Sequence, residues 1–243
     1  MTIKIQCVSH TCSVRQLFHL LTAEALGAIG SDTAVNILKK YATDQNVEIA
    51  ETCQLALDRI EWVNSEEQEQ LPESPYPTVD PAPAAKDNNV ESLRKTLLDD
   101  KLSMFERYRA MFALRNKGCK QSVLALAEGL GCSSILFRHE IAYALGQMEN
   151  EGGANQLIAS LQNSNESPLV RHECATALAA IGRADCVQAL NDNINDGESV
   201  VSESCELGLN MYIWLVNITT GIFKTYKRVT RWILTDSSKT LPE

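Results

Sequence analysis

The feature that most constrains the fold is a period. Six residues before the leucine that closes each apolar helical segment stand, in turn, Leu20, Glu51, Tyr108, His139, His172 and Glu203. Their spacings are 31, 57, 31, 33 and 31 residues. Each unit reads as an apolar helix, a short polar turn and a second helix. "ECATALAAIGRADCVQALNDNI" illustrates this, with Gly182 as the stop of its first helix. A helical hairpin of that size cannot bury its apolar face alone and must stack on its neighbours. The predicted fold is therefore all-α, an α-solenoid of HEAT-like hairpin repeats.

The long interval of 57 residues contains "NSEEQEQLPESPYPTVDPAPAAKDNN", rich in proline and acid, and each proline breaks helix. It is read as a linker over 64–89 between an N-terminal arm over 22–63 and a C-terminal arm over 90–212. The arms repeat each other at an offset of 152: "TAEALGAIG" from Thr22 lies over "CATALAAIG" from Cys174, and Trp62 falls on Trp214. Residues 1–21 and 213–243 do not follow the pattern. They are set apart as a divergent N-terminal segment and a divergent basic tail.

Composition limits the function classes. The 44% apolar content is that of a globular chain, and the low aromatic share with abundant Ala and Leu suits helix. A net charge of −9 argues against nucleic acid as the main partner and suits a cationic one. Eight cysteines scattered through a long helical chain are expected to be reduced thiols packed as small apolar residues, placing the protein in the cytoplasm. The longest apolar run, near "MYIWLVNI", is too short to span a bilayer, so no membrane is expected.

Two of the four histidines share one setting: "LFRHEIAYALGQ" and "LVRHECATALAAIG" place Arg-His-Glu at the head of helices 33 residues apart. Equivalent helices of a solenoid lie side by side, with axes roughly 8–10 Å apart. His139 and His172 should therefore project towards one spot. Their stripes carry small residues, Ala142 and Gly146 beside one and Ala175 and Ala179 beside the other, which are expected to leave room for a bound group. A lone His-Glu pair is ordinarily a solvated surface pair, but two recurring in register with the repeat are not explained that way. Two imidazoles with Glu140 and Glu173 make a mixed N/O donor set suited to iron, manganese or zinc. Adjacent helical residues point about 100° apart, so not every carboxylate is expected to touch the metal.

Other motifs carry less. Cys7, His10, Cys12 and His19 resemble a zinc cluster by composition, but the spacing fits no common finger. Asn217-Ile218-Thr219 matches a glycosylation sequon, read as accidental. The basic "KTYKRVTRW" is read as a frayed end in preference to a membrane-surface helix.

Four blocks, "SPYPTVDPAPA" at 74–84, "FERYRAMFALRN" at 105–116, "LFRHEIAYALGQM" at 136–148 and "VRHECATALAAIG" at 170–182, resemble deoxyhypusine hydroxylase, over roughly residues 22–212. That family is a HEAT-repeat protein whose two arms face each other, with four His-Glu pairs holding a non-haem di-iron centre. The resemblance implies O2-dependent hydroxylation of the deoxyhypusine residue of eukaryotic translation initiation factor 5A, giving hypusine. It implies His139, His172 and Glu173 as ligands of one iron. Glu140 counts with that metal set and is also the catalytic candidate, facing the substrate amine. The offset places one first-arm pair before residue 1 and the other over Leu20-Leu21, so the expectation is one retained half-site of the two-iron centre. The alternative is a non-catalytic repeat protein that grips the same factor. The oligomeric state is left open, with a second copy completing the site as one arrangement that would restore activity.

Overall fold

A computed structural model describes the backbone over residues 12–65 and 74–214, with side chains from residue 18. Among the described residues the regular elements are helices, the α-helices running in the order α1 (Cys12–Ile29), α2 (Asp32–Tyr41), α3 (Val47–Asn64), α4 (Val90–Leu98), α5 (Met104–Lys117), α6 (Lys120–Glu128), α7 (Ile135–Met148), α8 (Ala154–Gln162), α9 (Pro168–Ile181) and α10 (Ala184–Asp192). A last helix, α11, runs from 199 to the end of the described chain at 214. The all-α solenoid is thus observed.

Local chemistry sets the helix limits. Ser103, Ser134 and Ser167 each cap a first helix with a side-chain oxygen that accepts a backbone N–H, and Pro168 fills the first turn of α9. Gly118 and Gly182 end α5 and α9 at φ +64, where a Cβ would be strained.

The helices carrying the series residues, α1, α3, α5, α7, α9 and α11, form one layer. The helices α2, α4, α6, α8 and α10 back it. Within the first layer α7 packs along α9 and α1 along α3, and α1 also reaches α9, so the row curls back on itself. Tyr108, Met111, Phe112, Leu114, Phe137, Ile141 and Leu178 are fully buried in the main core. A smaller core of Ala23, Leu38, Cys53, Ala56 and Ile60 holds α1–α3 together. Cys53, Cys132, Cys174, Cys186 and Cys205 are buried free thiols.

A repeated arginine tie explains the first letter of the Arg-His-Glu triplet. Arg107 Nε donates to the Leu97 carbonyl at 3.0 Å, and Arg171 Nε donates to the Leu161 carbonyl at 2.8 Å. The same guanidinium groups pair with Asp100 and Asp196. Arg138 donates to the carbonyls of Cys132 and Ser133 and pairs with Glu166. Each arginine therefore satisfies the chain end just before its own helix and fixes how the next residue, Tyr108, His139 or His172, is aimed.

Two features bear on the chain's organisation. Helix α1 runs unbroken from Cys12 to Ile29, across residue 21. The described part of the linker packs against the helices. Arg115, with no exposure, ion-pairs with Asp80 at 2.6 Å, hydrogen-bonds Gln147 and Ser74, and stacks on Tyr76 and Phe112. Ala82 is fully buried and the Ala85 N–H donates to the Arg109 carbonyl. The prolines break helix, as read, but here they build a strap laid over α5. The basic tail and the sequon, from residue 215 on, lie outside the described residues.

Candidate metal centre

The site sits where α7 and α9 run side by side. Their close approach comes from the small residues of the histidine stripe. A Cβ on Gly146 would fall 3.0 Å from the Ala177 Cα. The same device recurs at the arm offset with its partners exchanged. A Cβ on Gly27 would lie 2.8 Å from the Ala56 Cβ, and one on Gly208 would lie 2.8 Å from the Ala179 Cβ. The expectation that these small residues leave space for a ligand is therefore corrected: they let helix backbones touch.

That contact sets His139 beside Glu173. His139 Nε2 lies 3.6 Å from Glu173 Oε2, and His172 Nε2 lies 3.8 Å from the same oxygen. Among the described residues, His139, His172 and Glu173 are the group whose donor atoms fall within 4.8 Å of one another. His139 and Glu173 are buried and His172 is half-buried.

Hydrogen bonds on the far side of each ring decide what Nε2 offers. The His139 Nδ1 lies 3.1 Å from Glu140 Oε1; a carboxylate accepts, so Nδ1 donates. The His172 Nδ1 lies 2.6 Å from Ser204 Oγ, whose own proton goes to the Val200 carbonyl, so Nδ1 donates here too. In its neutral form each ring thereby turns an unprotonated Nε2 towards Glu173. The His139 Nε2 is buried with no hydrogen-bond partner among the described residues. A buried, unpaired acceptor is costly, and a cation between these atoms would satisfy it.

The electrostatics distinguish the two rings. Burial pushes the His172 pKa down to about 4, so the ring stays neutral and able to ligate. For His139, burial disfavours the charged form, but the neighbouring Glu140, Glu173 and Glu24 outweigh it and raise the pKa. Burial raises Glu173 too, against the pull of His139. Two imidazoles and one carboxylate whose donor atoms converge make a mixed N/O set of the kind that suits iron. Iron fits these residues.

Glu140 orients His139 and does not belong to the converging set. His19 lies elsewhere, lining a cavity of about 240 Å³ with Asp44 and Cys53 between α1 and α3. Cys7 and His10 are outside the described residues, as is the Cys12 side chain.

Of three further neighbours, only Leu20 is foreseen by the arm offset. Leu20, buried in α1, packs against Leu136 and Leu169 at the heads of α7 and α9. The position where the arm offset would place a third imidazole is thus an apolar plug. One turn on, Glu24 is pushed up to about 8 by burial and by Glu140, with His139 opposing. The signal was present, since Glu24 follows Leu20 at i+4 on the same helix face. Ser204 carried no signal, because it lies off the repeat phase by one residue.

A family model of HEAT repeats matches residues 123–210. The chain is 56% identical to the deoxyhypusine hydroxylase of Rattus norvegicus over 189 residues, which is 78% of this chain and 63% of the relative. It is 53% identical to that of Homo sapiens over 78% of this chain and 62% of the relative. The chain thus spans less than two thirds of these curated relatives. A solved structure of human deoxyhypusine hydroxylase in complex with glycerol superposes with a TM-score of 0.78 at 50% identity, covering 83% of this chain and 70% of that one. The repeats, the arrangement of arms and the sequence identity together show that this chain belongs to the deoxyhypusine hydroxylase family.

Proposed function

We propose that the chain is a deoxyhypusine hydroxylase-type monooxygenase subunit holding one iron at His139, His172 and Glu173. Its proposed substrate is the aminobutyl side chain of the deoxyhypusine residue of eukaryotic translation initiation factor 5A. The observation that carries this reading is the buried, unpartnered His139 Nε2 beside a carboxylate and a second imidazole.

When bound, iron supplies the O2 chemistry that hydroxylates an unactivated C–H bond. The residues do the rest. Glu140 and Ser204 hold the two Nδ1 protons, so that neither ring can turn its lone pair away. Glu173 faces both Nε2 atoms and balances charge. Leu136, Leu169 and Leu20 keep water from one side of the site. Glu140, buried beside His139, is the acid group placed to receive the cationic side chain.

Leu20 favours a second reading, a repeat protein that binds the same factor without turning it over. Metal content separates the two. We expect about one iron per polypeptide in aerobically purified protein, lost in His172→Ala. Two irons per chain would contradict the half-site, and none, with tight binding of the deoxyhypusine-bearing factor, would favour the second reading. The proposed location is the cytoplasm; among the described residues no helix is long and apolar enough to cross a membrane.

A further inference from the structure

The arginine tie of the second arm has a different counterpart in the first. At the offset of 152, Arg171 falls on His19, Asp196 on Asp44 and Asn193 on Tyr41. In the second arm one guanidinium joins these positions. Arg171 Nη2 pairs with Asp196 Oδ2, Nη1 donates to Oδ1 at 3.1 Å, and Asn193 Oδ1 lies 3.5 Å from Nη2. The acidic turns of the two arms are built alike. The Asn46 N–H donates to Asp44 Oδ1 at 2.8 Å, as the Glu198 N–H donates to Asp196 Oδ1 at 2.9 Å. Asp44 is thus held as Asp196 is, but an imidazole stands where the guanidinium stem begins. The imidazole is the shorter side chain, and no ion pair joins His19 to Asp44.

Between them lies the cavity of about 240 Å³, whose wall includes His19, Tyr41, Asp44, Leu38, Ile49 and Cys53. His19 and Asp44 are half-buried and Tyr41 is exposed, so the polar end of the cavity is within reach of solvent. The Tyr41 ring already takes a cation on one face, with Lys40 Nζ 5.3 Å from its centroid. Leu38, Ile49 and Cys53 make an apolar wall, matching Leu190, Val201 and Cys205 of the second arm. An anion held in place, an aromatic face and an apolar wall are the surroundings of an arginine side chain.

We infer that this cavity is a binding site for an alkylguanidinium ion, with Asp44 as its anion, Tyr41 as its ring face and the apolar wall along its stem. The planar fork suits a fixed carboxylate better than an ammonium point charge does. A metal ion fits less well, because His19, Asp44 and Cys53 are not among the described donors that converge. The site shares no residue with the proposed metal centre and does not rest on it.

The test is calorimetric titration of the full chain with butylguanidinium and, separately, with butylammonium. The guanidinium should bind saturably and at least about tenfold more tightly. Asp44→Asn keeps an oxygen for the Asn46 N–H but removes the charge, and should weaken binding at least about tenfold. His19→Arg supplies the guanidinium from within the chain; it should raise the melting temperature and abolish binding of the added ion. Should Asp44→Asn fail to fold, His19→Arg carries the test alone. Neither variant should change Co2+ affinity, so a failed cavity and a failed metal centre are told apart. N-acetyl-arginine amide binding as tightly as butylguanidinium makes an arginine of a polypeptide the ligand, whereas its exclusion makes the ligand a free guanidino compound. No binding to the parent, equal affinity for the two ions, or undiminished binding by His19→Arg overturns the site.

Discussion

His139 Nε2 and Glu173 Oε2 lie 3.6 Å apart across the α7–α9 seam, beyond hydrogen-bond range but close enough to share one ion. Neither atom can be satisfied by the other as they stand. Removing the third donor tests that relation. His172→Ala should abolish Co2+ or Fe2+ binding by titration, while His19→Ala and His10→Ala should leave it unchanged. Equal losses from all three would show that the metal binds elsewhere.

Ser204 touches no proposed ligand atom, yet it fixes the His172 proton on Nδ1. Ser204→Ala should lower metal affinity by about 10–100-fold with little change in melting temperature. A melting temperature that falls while metal affinity holds would make Ser204 a packing residue only.

The fold and half of the site were legible in the sequence for different reasons. Periodicity exposed the hairpins, because apolar stripes and caps are local. It also aligned His139 with His172, because a solenoid converts equal phase into adjacency. What α1 brings to the site was hidden, since the curl that carries Leu20 and Glu24 to α7 and α9 accumulates over several units. Proline content made 64–89 read as a linker, because nothing local announces that Asp80 meets Arg115. The small residues were seen but misread: Gly146 is small because Ala177 presses on it.

That pressure gives a sharp mutation. Gly146→Val would place a side chain 3.0 Å from the Ala177 Cα and force α9 away from α7. A destabilisation of about 1–3 kcal/mol is expected, with loss of metal binding because the two imidazoles separate. Chemical denaturation and Co2+ titration on the same sample check both. Retained metal affinity would mean the seam does not position the site.

The metal-free protein should lose stability as pH rises through neutrality. Glu24 has its pKa raised to about 8, so in the fold it keeps a proton that the unfolded chain releases above its ordinary value of 4.5. Its contribution is present below that ordinary value and is lost as pH passes about 8. Glu173, Glu51 and His139 are raised and act in the same direction. His172 acts oppositely, but its window lies between about 4 and its ordinary 6.5, so it is silent above neutrality. From about pH 6.5 to 8.5 the loss is about 1–2 kcal/mol, or roughly 2–8 °C in melting temperature. Saturating metal should flatten that slope. A metal-free melting temperature that rises over this range would contradict the buried-acid assignment.

Arg115 tests whether the strap over 74–85 is part of the fold or only rests on it. Its guanidinium is fully buried, donates to both Asp80 oxygens and to Gln147 on α7, and stacks between Tyr76 and Phe112. Arg115→Met keeps the length of the side chain but leaves the Asp80 carboxylate without its counter-ion. Breaking one half of a buried pair costs about 3–5 kcal/mol, whereas replacing both partners by apolar groups is often neutral. The double variant Arg115→Met, Asp80→Leu should therefore recover much of the single variant's loss. Because the ion pair spans the strap, α5 and α7, the single variant should also raise amide exchange at residues 80–85 before it affects α9. A loss below about 1 kcal/mol, with no added exchange in the strap, would show that segment to be a tether after all.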